Sequence, residues 1–360
     1  MNITEDGALP VGATFLPLNG YVPVFREEDR YDRRYLVGER GKSEGLSLID
    51  QVEVGSPKTF HHLAQLALSQ KDQDEFYGLP ALATFKADVD NLGALFACGL
   101  PRKLFTLSRL STMSRQLHNF FTVYLPYALA REAKGAFRNV YTVFAGGDDL
   151  FLIGPWTEIR DLALFLRHKF REYVCENSKI HFSAGIVLHK PYTPVDLLAR
   201  KSEEALSSAK KDKNRVTMFG VVVPWEEFEE LRKIEEKLEQ WTEEGCLSRG
   251  SLYRLNELAF MAAEEICLLT RTQIPLSRLR CLKWRAFLRY FLVRQLERAK
   301  GCPQKYESLV FDLAQWLDTY REAFIIALWP LLYRTRKQRV KGGAYGLGGK
   351  DLERQSQRAD

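Results

Sequence analysis

The chain has 360 residues, 46% hydrophobic and 27% charged, with a net charge of +6, the profile of an ordinary globular protein of about two domains. That profile excludes a disordered, collagen-like or disulfide-stapled chain, and no window approaches the roughly 18 uninterrupted apolar residues of a membrane-spanning helix. Met1-Asn-Ile-Thr-Glu-Asp lacks a basic region followed by an apolar one, so a cytoplasmic protein without membrane contact is expected.

Charge is unevenly spread. From Gly245 to Asp360 there are 21 Lys or Arg against 11 Asp or Glu, a balance of +10, which leaves the preceding 244 residues at −4. A basic C-terminal third on a mildly acidic body suits an acidic or phosphate-rich partner. The six cysteines (98, 175, 246, 267, 281 and 302) form no Cys-x-x-Cys pair. Zinc ribbons and thioredoxin-like motifs are therefore unsupported, and the cysteines are expected to be mostly buried small apolar residues.

In chain order, residues 1–75 read as an irregular linker, with a strand-like run at Tyr35-Leu-Val and a helical pattern from Thr59. A folded unit of strands and helices is expected over 76–223. Ala81–Ala87 is a short apolar run that suits a buried strand. Apolar residues at three-to-four spacing predict a helix over Lys103–Ala133. Val140-Tyr-Thr-Val-Phe and Leu150-Phe-Leu-Ile read as two strands joined by the turn Gly146-Gly147-Asp148-Asp149. Then follow a helix over Thr157–Val174, a strand over Ile180–Leu188, a helix over Pro194–Lys211 and a closing strand from Val216 to Phe219. The order β-α-β-β-α-β predicts an α+β, ferredoxin-like (split βαβ) sheet. Beyond Pro224 only helical patterns remain, punctuated at Pro275 and 301–303, so an all-α helical bundle is expected over 224–341. A glycine-rich, mobile tail is expected over 342–360.

Two acidic clusters close strands in the first unit: Lys86-Ala-Asp88-Val-Asp90-Asn91-Leu-Gly93 and Gly146-Gly147-Asp148-Asp149. Either alone has an ordinary explanation, since Asp caps helices and Gly and Asp build hairpin turns. In a ferredoxin-like sheet, however, the first strand neighbours the central hairpin, so the carboxylates converge. Paired Asp residues suit hard divalent cations such as Mg²⁺ or Mn²⁺, which keep substrate phosphates as further ligands. Gly146 and Gly147 would let backbone approach a triphosphate. The cations closing the helical pattern over Pro194–Lys211, among them Lys210 and Lys213, either complement a helix C-terminus or reach those phosphates.

These two clusters, together with Ser183-Ala-Gly-Ile and Glu204-Ala-Leu-Ser-Ser-Ala-Lys-Lys-Asp-Lys-Asn, make four motifs that resemble the second palm domain of the large signature subunit of type III CRISPR effector complexes, in its Csm-type branch. The resemblance runs from about residue 55 onward. It implies a subunit that binds ATP at a two-metal site and makes cyclic oligoadenylate when target RNA is bound. Carried over, Asp88, Asp148 and Asp149 would hold the metals. Gly146, Gly147, Asn91, Ser183, Lys210 and Lys213 would contact the nucleotide, and Asp90 is expected at the cap of the following helix. The implied partners are the other subunits of the complex, the CRISPR RNA and target RNA. No His-Asp dipeptide occurs in the sequence, so the nuclease centre common in that family is not expected here. A facing first palm is expected from a separate polypeptide or domain. Two other readings compete. One is a diguanylate cyclase-like enzyme, disfavoured because Leu150 follows Asp149 where that family usually has Glu-Phe. The other is a non-catalytic scaffold binding RNA and subunits through the basic bundle, where Arg289, Arg294 and Arg298 load one helical pattern.

Overall fold

The computed structural model describes residues 20–37, 48–72, 75–270, 276–296 and 306–338. The expected tail, Arg298, and the breaks at Pro275 and 301–303 lie outside the described residues.

Chain order begins with irregular turns that lead into α1 (Phe60–Gln65), β1 (Ser69–Asp72) and β2 (Glu75–Tyr77). The Tyr35 run is not a strand. The Asp32 carboxylate accepts the Arg34 backbone N–H, which caps a 3₁₀ turn over Arg33–Leu36. Then come β3 (Leu82–Val89), α2 (Leu92–Cys98), α3 (Leu107–Asn119) and α4 (Leu125–Arg131), followed by β4 (Tyr141–Gly146), β5 (Asp149–Pro155), α5 (Trp156–Tyr173), β6 (Phe182–His189), α6 (Val195–Lys210) and β7 (Arg215–Met218). The helix expected over 103–133 is thus interrupted: a wider π turn at Phe120–Tyr124 joins α3 to α4. A strand missed by periodicity, β8 (Val221–Pro224), pairs back on β7 across a turn in which Phe219 and Gly220 both have positive φ.

The main sheet runs β4-β5-β3-β6-β7-β8, antiparallel throughout except for the parallel pair β6–β7. Its first four strands have the split βαβ order expected from the sequence. Alternation along β3 sorts residues to two faces. Ala83, Phe85, Ala87 and Val89 join the core under α3–α4 and α5, whereas Leu82 belongs to a second apolar cluster with Phe25, Tyr35, Leu63, Phe151 and Leu198. The N-terminal segment and α6 therefore cover the face that carries Thr84, Lys86 and Asp88. Gly185 of β6 lets α6 lie close, since a Cβ there would meet the Leu206 backbone nitrogen at 2.6 Å.

The remaining helices are α7 (Trp225–Glu243), α8 (Arg249–Leu269), α9 (Trp284–Leu296), α10 (Tyr306–Tyr320) and α11 (Ile325–Arg334), with β9 (Lys337–Gln338) after them. Their apolar faces extend the palm core without a break, from Trp156 and Phe170 through Phe228 and Leu255 to Leu313 and Leu328. β9, also unexpected, returns to pair with β2. Cysteine burial differs from expectation. Cys98, Cys175 and Cys267 are exposed, Cys281 is buried, and Cys246 is disulfide-bonded. The three exposed cysteines lie on solvent-facing helix or turn positions, so packing makes no use of them. Among the described residues no helix is long and apolar enough to cross a membrane.

Candidate nucleotide and metal site

Antiparallel register sets Asp88 of β3 directly opposite Asp149 of β5. The two-residue turn between β4 and β5 holds Gly147, with φ +65°, and Asp148. A left-handed residue at that point of a tight hairpin is what glycine supplies without strain. The Asp148 carbonyl accepts the Val89 N–H at 3.0 Å, so the turn is fastened to the end of β3. The three carboxylates expected to act together are therefore gathered at one end of the sheet.

Their electrostatics are unfavourable in isolation. Burial pushes the Asp88 carboxyl above its ordinary range, Lys210 pulls it back, and the charges of Asp148 and Asp90 add to the rise. Burial also raises Asp149, opposed by Lys86 and reinforced by Asp88, Glu203 and Asp148. Lys210, in the last turn of α6, forms an ion pair with Asp88 at 2.5 Å. Lys86 stands on the same face and pairs with Glu203 of α6. The Oδ1 atom of Asp149 is buried and has no hydrogen-bond partner.

Nearby, Lys213 donates to the Asn91 side-chain oxygen. Asn91, at φ 57°, is the residue immediately before α2. Both are exposed at the rim of the carboxylate cluster.

Two expectations are corrected. Asp90 does not cap α2: it is 4% exposed and points inward, accepting from Ser183 Oγ at 2.9 Å, from the Asn214 N–H at 2.9 Å and pairing with His181 Nδ1 at 2.7 Å. Burial alone would raise this carboxyl, but those three donors outweigh it and hold it below the usual range. Ser183, expected at the nucleotide, is fully buried and spends its hydroxyl on Asp90, so it supports the end of β3. Period-two alternation along β3 places Lys86 on the same face as Asp88, a signal that the sequence itself carries. No sequence pattern marks His118, whose Nδ1 accepts the Gly147 N–H at 3.0 Å across 29 residues.

Among the described residues no three His, Cys, Asp or Glu side chains are arranged to enclose a metal ion by themselves. Phosphates and water would therefore have to complete the shell around Asp88, Asp148 and Asp149, with Lys210 already engaging Asp88. The donors still suit a hard cation: Mg²⁺ is commonly bound through one or two carboxylates with phosphates and water completing the shell. Asp88 and Asp149 face each other, both destabilised as anions, and one Asp149 oxygen is unused.

Residues 81–218 match the family described as Cas10/Cmr2, second palm domain. The CRISPR system single-strand-specific deoxyribonuclease Cas10/Csm1 (subtype III-A) of Methanocaldococcus jannaschii is 36% identical over 169 residues, covering 41% of this chain and 21% of the relative. Its counterpart of the same name from Enterococcus italicus is 32% identical over 255 residues, 68% of this chain and 31% of the relative. The chain thus spans about a fifth to a third of the length of these curated relatives. In fold it resembles the crystal structure of Csm1 in T. onnurineus, with a TM-score of 0.56 at 21% identity over 92% of this chain and 44% of that one. It also resembles a Csm1–Csm4 cassette in complex with one ATP, with a TM-score of 0.53 at 22% identity over 78% of this chain and 38% of that one. Residues 81–218 of the chain thus match the second palm domain of the Cas10/Cmr2 family.

Proposed function

We propose that this chain is the palm-bearing part of the large subunit of a type III CRISPR effector complex, and that its palm binds ATP with Mg²⁺ or Mn²⁺ and joins adenylates into cyclic oligoadenylates. The observation that carries the reading is the Asp88–Asp149 pair with its unused Asp149 oxygen beside the Gly146-Gly147 turn. Support comes from relatives named as subtype III-A Cas10/Csm1 and from a Csm1–Csm4 cassette of like fold solved with ATP and with cA3.

In this reading Asp88, Asp148 and Asp149 hold the divalent cation, which would neutralise the triphosphate and favour ionisation of the attacking hydroxyl. The backbone of Gly146 and Gly147 admits the phosphates closely, and Lys210 and Lys213 at the end of α6 contribute positive charge. A ribose hydroxyl oxygen of one nucleotide attacks the α-phosphorus of the next. The new phosphodiester forms as the bond to pyrophosphate breaks and the hydroxyl proton is released. Ring closure needs two nucleotides to face each other, so a first palm on a partner chain or domain completes the site. CRISPR RNA, target RNA and a Csm4-type subunit are the further partners.

Calorimetric titration of ATP with Mn²⁺ into the wild-type chain and an Asp148→Asn/Asp149→Asn variant tests this, first alone and then with the first palm supplied. The expected result is saturable, metal-dependent binding that the variant loses. Absence of binding by the wild type in both settings overturns the reading.

A further inference from the structure

The turn that presents Asp148 and Asp149 is tied at both ends. At one end the Asp148 carbonyl accepts from Val89, a backbone contact that any sequence would keep. At the other, the Gly147 N–H donates to His118 Nδ1 at 3.0 Å. That second tie depends on a side chain. A Cβ at Gly147 would meet nothing within 4 Å, so packing does not hold the turn there.

His118 is itself held from two sides. Its carbonyl accepts from Thr122 Oγ1 at 2.8 Å within the π turn that follows. Two residues earlier, the Gln116 carbonyl accepts from Tyr173 Oη of α5 at 2.9 Å. The π turn then sets Phe120 and Phe121, both 1% exposed, against Phe170. Single wide turns inside helices recur at functional sites because they re-aim the residues around them. Here the last turn of α3 is anchored to α5, and His118 passes that anchorage to the Gly147 amide. With Nδ1 accepting, the neutral ring carries its proton on Nε2.

We infer that His118 is a positioning residue: through the Gly147 amide it fixes the Gly147–Asp148 turn in the conformation that presents Asp148 and Asp149 to a metal-bound nucleotide. The functional half of this inference rests on the reading of the site given above; the tether itself does not. Groups that orient metal ligands from behind commonly govern about 10–100-fold in affinity.

The test compares His118→Leu with His118→Asn in the full chain, because the Asn carbonyl oxygen can stand where Nδ1 stands and accept the same hydrogen bond. Hydrogen exchange of the Gly147 amide, read without nucleotide, is expected to accelerate roughly two- to tenfold in His118→Leu, the loss of one hydrogen bond, and to stay near wild type in His118→Asn. Mn²⁺–ATP affinity is expected to follow the same order. Asp149→Asn separates the two readings, since it should lose the nucleotide while keeping Gly147 protected. Unchanged Gly147 exchange in His118→Leu overturns the inference whatever the nucleotide does. Equal losses in the Leu and Asn variants overturn it too, because they would show a packing role. If the wild type binds no nucleotide while exchange follows the expected order, the proposed function fails and the tether stands.

Discussion

Asp88 on β3 and Asp149 on β5 are directly opposed across one antiparallel pair, two like charges where a sheet ordinarily avoids them. Lys210 answers Asp88 and Lys86 lies near Asp149, yet both carboxyls are still held above their ordinary range. The free chain therefore carries a repulsion that a bound cation would relieve, which is the usual signature of a functional site retained against stability.

Asp149→Asn should accordingly be more stable than the wild type, and worse at binding. Removing one of the opposed charges is expected to add about 0.5–1 kcal/mol, a rise in melting temperature of roughly 2 °C for a chain of this size. Mn²⁺ affinity is expected to fall at least about tenfold. Thermal melts with and without Mn²⁺ check both: the variant should melt higher in chelator, and the stabilisation by metal seen in the wild type should shrink. A variant that melts lower in chelator would mean that Asp149 makes a favourable contact in the free chain.

The sequence made this end of the sheet legible because its signals were short-range and periodic. Strand alternation, the two glycines and the Asp spacing locate β3, the β4–β5 turn and the carboxylates to within a residue or two. What was not legible depends on contacts between distant segments. Ser183 looked like a nucleotide contact and is buried against Asp90; no local pattern says which way a serine at a strand start will face once α6 closes over it. Asp90 looked like a cap, but cap and buried anchor share the same Asp-Asn dipeptide. β9 escaped because a two-residue strand has no period to read. The N-terminal segment read as a linker because its apolar residues are sparse, yet Phe25, Tyr35 and Leu48 complete an apolar cluster with β3, β5 and α6.

A titrating group lies beneath that same segment. Glu158, in the first turn of α5, accepts from Asn139 Nδ2 at 2.7 Å through Oε1, while its buried Oε2 has no partner. Burial pushes its carboxyl from an ordinary 4.5 to about 7, although Asn139, Lys58 and Arg34 pull the other way. Because the folded chain holds this proton more tightly than the unfolded chain, the stabilisation is complete below pH 4.5 and is lost as pH rises through about 7. At about 1.4 kcal/mol per pH unit the full effect is on the order of 3 kcal/mol. Urea midpoints measured at pH 5.5 and pH 8 should differ in that direction for the wild type and much less for Glu158→Gln. An equal pH dependence in both proteins would place the effect elsewhere.

The junction between palm and bundle is ionic where its surroundings are apolar. Glu235 of α7 is 1% exposed and receives Arg160 of α5 on both oxygens, at 2.7 and 2.6 Å; Arg334 of α11 donates to it as well. Arg160 is itself only 3% exposed. A buried carboxylate shared by two guanidiniums from two other helices adds little stability over a well-packed apolar contact, but losing it strands the cations. Glu235→Gln is therefore expected to lower unfolding stability by about 3–5 kcal/mol. In Arg160→Met/Glu235→Leu much of that loss should return, because the fully buried charge goes with its partner and Arg334, 27% exposed on its side chain, can turn toward water. Urea unfolding of the two variants decides the point. A double variant as unstable as Glu235→Gln would show that the ion pair holds α5, α7 and α11 together by attraction, and that its loss cannot be offset by apolar packing alone.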